Sequence, residues 1–333
     1  MTSSWSNADP AVAHSGRRIP IARTGDSSSR PTCFEGEPPL IASFPLIFES
    51  GGTMLSGRCY RNTMSLAIRQ PAILVTGSWL TVQDQMPALY ARQLARRGFT
   101  ALTFDFAGFG RSGGAPRQLE MPVRKIADII AAVEFAHTLT FTKTVGHLAV
   151  CASAQYTAAA IARGARIQSF VSVAGWFHDT DSVAPFYGGA EGVARRLDLA
   201  ARAIERFVTT GNVVMVPAYE SGNQDAAMFL DLDYYANAER GAIPAWTNQM
   251  AVMSWQHWLL FDGIRNASSL SAPALFVHGD GCVFPENVRR IYERLSVPKK
   301  LVWMDGVQVD FYDRPDLVEP AVDAACAHFD ATL

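Results

Sequence analysis

The residues best placed for chemistry lie in one run, Leu148-Ala149-Val150-Cys151-Ala152-Ser153-Ala154-Gln155-Tyr156. An apolar, strand-like stretch stops there, and Thr157-Ala158-Ala159-Ala160-Ile161-Ala162 carries on as a helix. A serine on a sharp turn between a strand and a helix makes a nucleophile elbow. Such a turn lifts the Ser153 hydroxyl clear of the backbone. It also aims the positive end of the helix at any oxyanion that forms on a substrate. Cys151 and Gln155 stand at the flanking positions, where such turns usually hold glycine. As a purely structural feature, Ser153 would be the N-cap of an alanine-rich helix.

A hydroxyl nucleophile needs a base to activate it. Trp176-Phe177-His178-Asp179 directly follows a later strand. That brings His178 out on the same edge as Ser153, with its own neighbouring carboxylate. The alternative role of His178 is to dock the segment that follows. Trp176, Tyr234 and Trp255, with Tyr235, Trp246 and Trp258, form an aromatic-rich region. These rings either line a pocket for an apolar substrate or pack that region onto the main domain. The histidines have no metal-ligand spacing, and neither do Cys33, Cys59, Cys151, Cys282 and Cys326. No metal is expected, therefore, and no cofactor is implied. The odd, scattered cysteines read as free thiols in a reducing, cytoplasmic setting.

The elements that must position these groups alternate between strands and helices. Residues 44–48 and 54–60 around Gly51-Gly52 read as an opening hairpin. Strands are expected at 72–76, 100–105, 144–150, 169–174, 274–278 and 300–304, and the short, continuous apolar run at 72–76 suits a strand buried on both faces. Helices are expected at 87–97, 125–138 and 320–329. This alternation predicts an α/β fold with a mostly parallel central sheet flanked by helices. The spacing breaks once, between Ala174 and Ala274, where the chain is far longer than an ordinary crossover. That stretch holds a helical pattern at 192–208 and is read as a helical cap insertion. The expected organisation is a mobile N-terminal tail over 1–40, a core of 41–175 and 266–333, and a cap of 176–265. The tail has no apolar stretch like that of a secretory signal.

The net charge of −2 over 333 residues gives no case for nucleic acid or an anionic membrane surface. The expected partner is a small-molecule substrate, with self-association left open. The glycines at 108–114 lack the Gly-Lys-Ser/Thr ending of a phosphate loop and read as sharp turns.

Together, Thr76-Gly77-Ser78-Trp79 after one strand, Asp105-Phe106-Ala107-Gly108-Phe109-Gly110-Arg111-Ser112 after the next, and the run around Ser153 resemble the α/β-hydrolase superfamily. The resemblance covers roughly residues 45–330. It lies closest to the dienelactone-hydrolase-like and acyl-peptidase-like branch with a cap before the acid strand. It implies an oxyanion hole from the N–H of Ala154 and that of Ser78 or Trp79. It places the catalytic acid in His278-Gly279-Asp280-Gly281-Cys282-Val283-Phe284-Pro285, where Cys282 stands at the usual position and Asp280 two residues earlier. It places the histidine at Gln308, which cannot act as a base. Three readings follow. A serine-dependent hydrolase or acyl-transfer enzyme would act on an ester, thioester or lactone of a small, fairly apolar molecule, with His178 as base. A lyase, cyclase or isomerase would use Gln308, Asp310 and Asp280 to orient its substrate. A pseudohydrolase would only bind.

Overall fold

The computed structural model describes residues 40–333. Apart from Leu40, the expected tail lies outside the described residues. The chain opens with a hairpin, β1 (Ile41–Ser50) and β2 (Thr53–Asn62), turning on Gly51 and Gly52, both at positive φ. Next come β3 (Gln70–Thr76), α1 (Met86–Arg96), β4 (Thr100–Phe104) and α2 (Pro122–Thr138). β5 (Thr142–Val150), α3 (Ser153–Ala162) and β6 (Ser169–Val173) follow.

The stretch between β6 and β9 carries α4 (Thr180–Val183), the long α5 (Gly189–Thr210), α6 (Asp233–Ala236), α7 (Ser254–Leu259) and α8 (Gly263–Ala267). It also holds a small antiparallel pair, β7 (Met215–Val216) with β8 (Met250–Ala251). The helical expectation lacked this pair, because two-residue strands leave no periodic signal. The chain ends with β9 (Ala274–His278), α9 (Pro285–Arg294), β10 (Lys299–Trp303), α10 (Asp310–Asp313) and α11 (Pro315–Thr332).

The main sheet runs β1-β2-β4-β3-β5-β6-β9-β10. The pairs β1/β2 and β2/β4 are antiparallel and the rest are parallel. α1 and α11 pack together on one face, and α2, α3 and α8 on the other. β3, β4, β6 and β9 are buried nearly throughout, which is why they read as apolar runs rather than as alternating ones. From β3 the chain moves outward to β4 and then returns to the other side of β3 as β5. The strand order therefore reverses between β3 and β5. In open α/β sheets ligands bind at the carboxyl ends of the strands at such a reversal.

The loop after β4 fixes the shape of that edge. The Asp105 carboxylate accepts from the Gln83 backbone N–H (2.7 Å), the Gln83 amide (3.0 Å) and the Arg111 N–H (2.9 Å). The Ser112 hydroxyl donates to the Asp105 carbonyl and accepts from the Ser56 N–H. A Cβ at Gly110, where φ is 45°, would fall 2.3 Å from the Asp105 carboxylate, so only glycine fits. Asp105→Ala strands the buried Gln83 N–H and the part-buried Arg111 N–H, at about 1–3 kcal/mol for each buried donor. Urea unfolding should accordingly show a loss of about 3 kcal/mol, and a loss below about 1 kcal/mol would contradict this role for Asp105.

Candidate active site

β5 ends at Val150, and the sharp turn falls on Cys151, at φ 57°. It does not fall on Ser153, where the sequence pattern placed it. Ser153 is the first residue of α3. It is fully buried, and its hydroxyl is spent on the Val150 carbonyl at 3.1 Å. A non-glycine residue in the left-handed region costs on the order of 1–3 kcal/mol and persists only where the surroundings dictate it. Here they do. The Cys151 N–H donates to the Val173 carbonyl of β6 (3.0 Å), and its carbonyl accepts from both Ala154 and Trp176 (3.0 Å each). The close approach extends to Gly175, where a Cβ would lie 2.2 Å from the Ser172 hydroxyl.

The Cys151 thiol faces the hydroxyls of Ser78 and Tyr312 and the backbone N–H groups of Ala152 and Trp79. Burial pushes the thiol above its ordinary pKa, and those four donors pull it back. The two N–H groups, one of them that of Trp79, point at the sulfur and can receive negative charge that develops beside it. The Ala154 N–H is committed to Cys151, and Ser78 acts through its hydroxyl. Ser78 Oγ accepts from Tyr235 (3.0 Å) and meets the Tyr312 hydroxyl (3.1 Å). Burial holds both phenols far above their usual range, so they remain protonated donors. The Trp79 ring is fixed by stacking on Trp258 at 4.3 Å.

Gln308 is buried beside this cluster. Its Nε2 donates to the Ala174 carbonyl (2.8 Å) and the Tyr312 hydroxyl (3.2 Å), and its Oε1 accepts from the Val283 N–H (3.1 Å). It ties the loops after β6, β9 and β10 together and orients Tyr312. Cys282, at the acid position, is buried, and its thiol is pushed up to about 12 by burial. Asp280 points away from the site. It is largely exposed and paired with Arg289 at 2.6 Å, which holds its carboxyl below the usual range.

His178 is fully buried, and both of its nitrogens are occupied. Nδ1 accepts from the Trp176 indole (2.7 Å), and Nε2 donates to the Trp258 carbonyl (2.9 Å). Burial lowers it to about 4. The ring is neutral but has no free lone pair with which to act as a base. Asp179 caps α4 and pairs with Arg290 rather than serving His178.

Of the expected substrate-contact residues, Tyr234 packs edge-on against Tyr312. Trp255 packs against Trp79, and Trp176 against Trp258. Asp310 sits at the start of α10, where its carboxylate caps the Val307 N–H at 3.3 Å. The structure therefore brings together Ser78, Trp79, Gln308, Cys151, Tyr235 and Tyr312. It leaves Ser153, Asp280, His178 and Asp310 in supporting positions. Sequence reasoning missed Cys151, whose signal was the small-x-Cys-x-small pattern Ala149-Val150-Cys151-Ala152-Ser153. It also missed Tyr312, four residues beyond Gln308. Among the described residues, no group of three His, Cys, Asp or Glu side chains could hold a metal ion. Among the same residues, no helix is long and apolar enough to cross a membrane.

This sheet order, with a turn after β5 facing backbone donors from the loop after β3, is the α/β-hydrolase fold. No family model matches the chain. It is 28% identical over 280 residues to the uncharacterized protein PA2218 of Pseudomonas aeruginosa, covering 80% of this chain and 74% of that one. It is 26% identical to the polyketide transferase claH of Penicillium crustosum, covering 75% and 84% respectively. Among solved structures, PA2218 superposes with a TM-score of 0.78 at 24% identity, over 88% of this chain and 94% of that one. The α/β hydrolase GrgF from Penicillium sp. sh18 superposes at 0.72 and 20% identity, over 86% and 99%.

His147, beneath the elbow on β5, bonds the Thr76 hydroxyl at 2.8 Å and is lowered to about 3 by burial. Both His147 and His178 thus stay neutral in the fold at pH values where the unfolded chain protonates them, near an ordinary pKa of about 6.5. Their stabilisation is fully present above that value and is lost as pH falls toward about 4 and then about 3. The NMR signals of both rings should stay at their neutral positions from pH 8 to about pH 5. Titration of either ring near its ordinary value would contradict the burial and bonding described.

Proposed function

We propose that this chain is an acyl-transfer enzyme of the α/β-hydrolase fold that works through the Cys151 thiol. The observation that carries the reading is the left-handed backbone at Cys151, which holds the thiol against the N–H groups of Ala152 and Trp79. Strained backbone of this kind concentrates at functional sites. The similarity to a polyketide transferase supports transfer rather than hydrolysis.

The Cys151 sulfur attacks the carbonyl carbon of an acyl thioester, and a new C–S bond forms. The carbonyl oxygen takes the negative charge in the corner formed by Trp79 and Ala152. The thiol proton passes through the Ser78 and Tyr312 hydroxyls to the departing sulfur as the old C–S bond breaks. The acyl group then resides on Cys151. An acceptor thiol or amine reverses the sequence, taking the acyl group and returning its proton to the Cys151 thiolate as that C–S bond breaks. A thioester suits this site because its leaving group is itself a thiol, a far weaker base than an alkoxide or amide anion, so its departure needs no strong acid and the exchange no strong base.

Hydrolysis would need a base to activate water, and Gln308 cannot supply one. The acyl-enzyme is therefore protected from water. Wild type given a hexanoyl thioester and an excess of a small amine, which needs no base to act as a nucleophile, should form more amide than free acid, and Cys151→Ala should form neither above the uncatalysed rate. Gln308→His places an imidazole beside Tyr312 and should raise free-acid release by about 100-fold or more. Acid release by wild type that survives in Cys151→Ala would refute the proposal.

A further inference from the structure

A second site lies on α5, within the stretch that precedes β9. One face of this helix lines a cavity of about 380 Å³, within the range of ligand pockets, about 300–1,000 Å³. The floor is apolar, from Leu199, Val252 and Trp255, and the rim carries Arg195, Arg202 and Arg206. A fourth arginine, Arg196, is buried at its base. Its guanidinium lies over the rings of Tyr187 and Trp255, at 5.0 and 5.1 Å. Its terminal nitrogens bond the carbonyls of Tyr187, Gly192 and Gln224, yet its Nε is buried without a partner. A buried, unpartnered guanidinium N–H is costly unless an acceptor meets it.

The rim is also short of negative charge. Arg195 pairs with Asp225, and Arg202 pairs with Asp198, but all four side chains are about half exposed or more. Exposed pairs of this kind are weak and readily exchanged for a better acceptor. Arg206 has no carboxylate partner among the described residues. An arginine fork donates two parallel N–H bonds to a carboxylate or phosphate.

We propose that this cavity binds an amphipathic anion, a carboxylate or phosphate headgroup held by Arg202 and Arg206 with an alkyl chain laid on Leu199, Val252 and Trp255. The site is independent of the chemistry at Cys151. The two are linked through rings: Trp255 packs against Trp79 at 6.0 Å, and Tyr187, beneath Arg196, accepts from the indole of Trp258, which stacks on Trp79.

The test is calorimetric titration of the full chain at low salt with decanoate, decyl phosphate and decanol, each below its aggregation concentration. At least one anion should bind saturably, and which one does so identifies the headgroup. Decanol should bind at least about tenfold more weakly, since it lacks the charge that arginine recognises. The double variant Arg202→Ala/Arg206→Ala alters only exposed side chains, and its thermal unfolding should match wild type. Its anion affinity should fall at least about tenfold. Absence of anion binding, equal binding of decanol, or unchanged binding by a folded double variant would each overturn the proposal.

Discussion

The site depends on one backbone constraint, the turn at Cys151. The end of β5 lies beside the end of β6, so the Cys151 N–H reaches the Val173 carbonyl and its own carbonyl receives two N–H groups. With three backbone hydrogen bonds fixed, the residue has no freedom to relax out of the left-handed region. The side chain is thereby lifted off the strand toward the loop after β3. Everything else at the site answers that placement. Trp79 supplies an N–H because its ring is pinned under Trp258. Ser78 and Tyr312 face the sulfur because Gln308 and Tyr235 hold them there.

Around the Cys151 thiol lies a connected set of hydroxyls and an amide. Tyr235, Ser78, Tyr312 and Gln308 form a continuous chain of hydrogen bonds, ending on the Ala174 carbonyl. Such a chain can pass a proton, but it cannot store one as an imidazole can. Burial keeps the phenols protonated and holds the Cys151 thiol in its neutral form.

Much of the fold was legible because its strands are buried on both faces, which writes them into the sequence as short apolar runs. The glycine pair at 51–52 announced the opening hairpin. α11 extends five residues before the expected helix at 320, because Pro320 is accommodated inside it. The site was less legible. Cys151, Ala152 and Ser153 are each small enough for a tight turn, and the register of β5 against β6 places it on Cys151. The hydroxyl of Tyr235 comes from a helix of four residues with no local pattern to mark it. His178 looked available from its position after a strand. The indole of Trp176, two residues earlier, occupies its acceptor nitrogen, a contact that spacing alone does not reveal.

The most direct test of the central claim is to locate the acyl group. Wild type, Cys151→Ala and Ser153→Ala would each be incubated with a hexanoyl thioester, quenched in acid and mapped by peptide mass spectrometry. The account predicts one hexanoyl group on the Cys151 side chain in wild type and Ser153→Ala, and none at this position in Cys151→Ala. A hexanoyl group on Ser153, or an unmodified Cys151 in wild type under turnover, would contradict it.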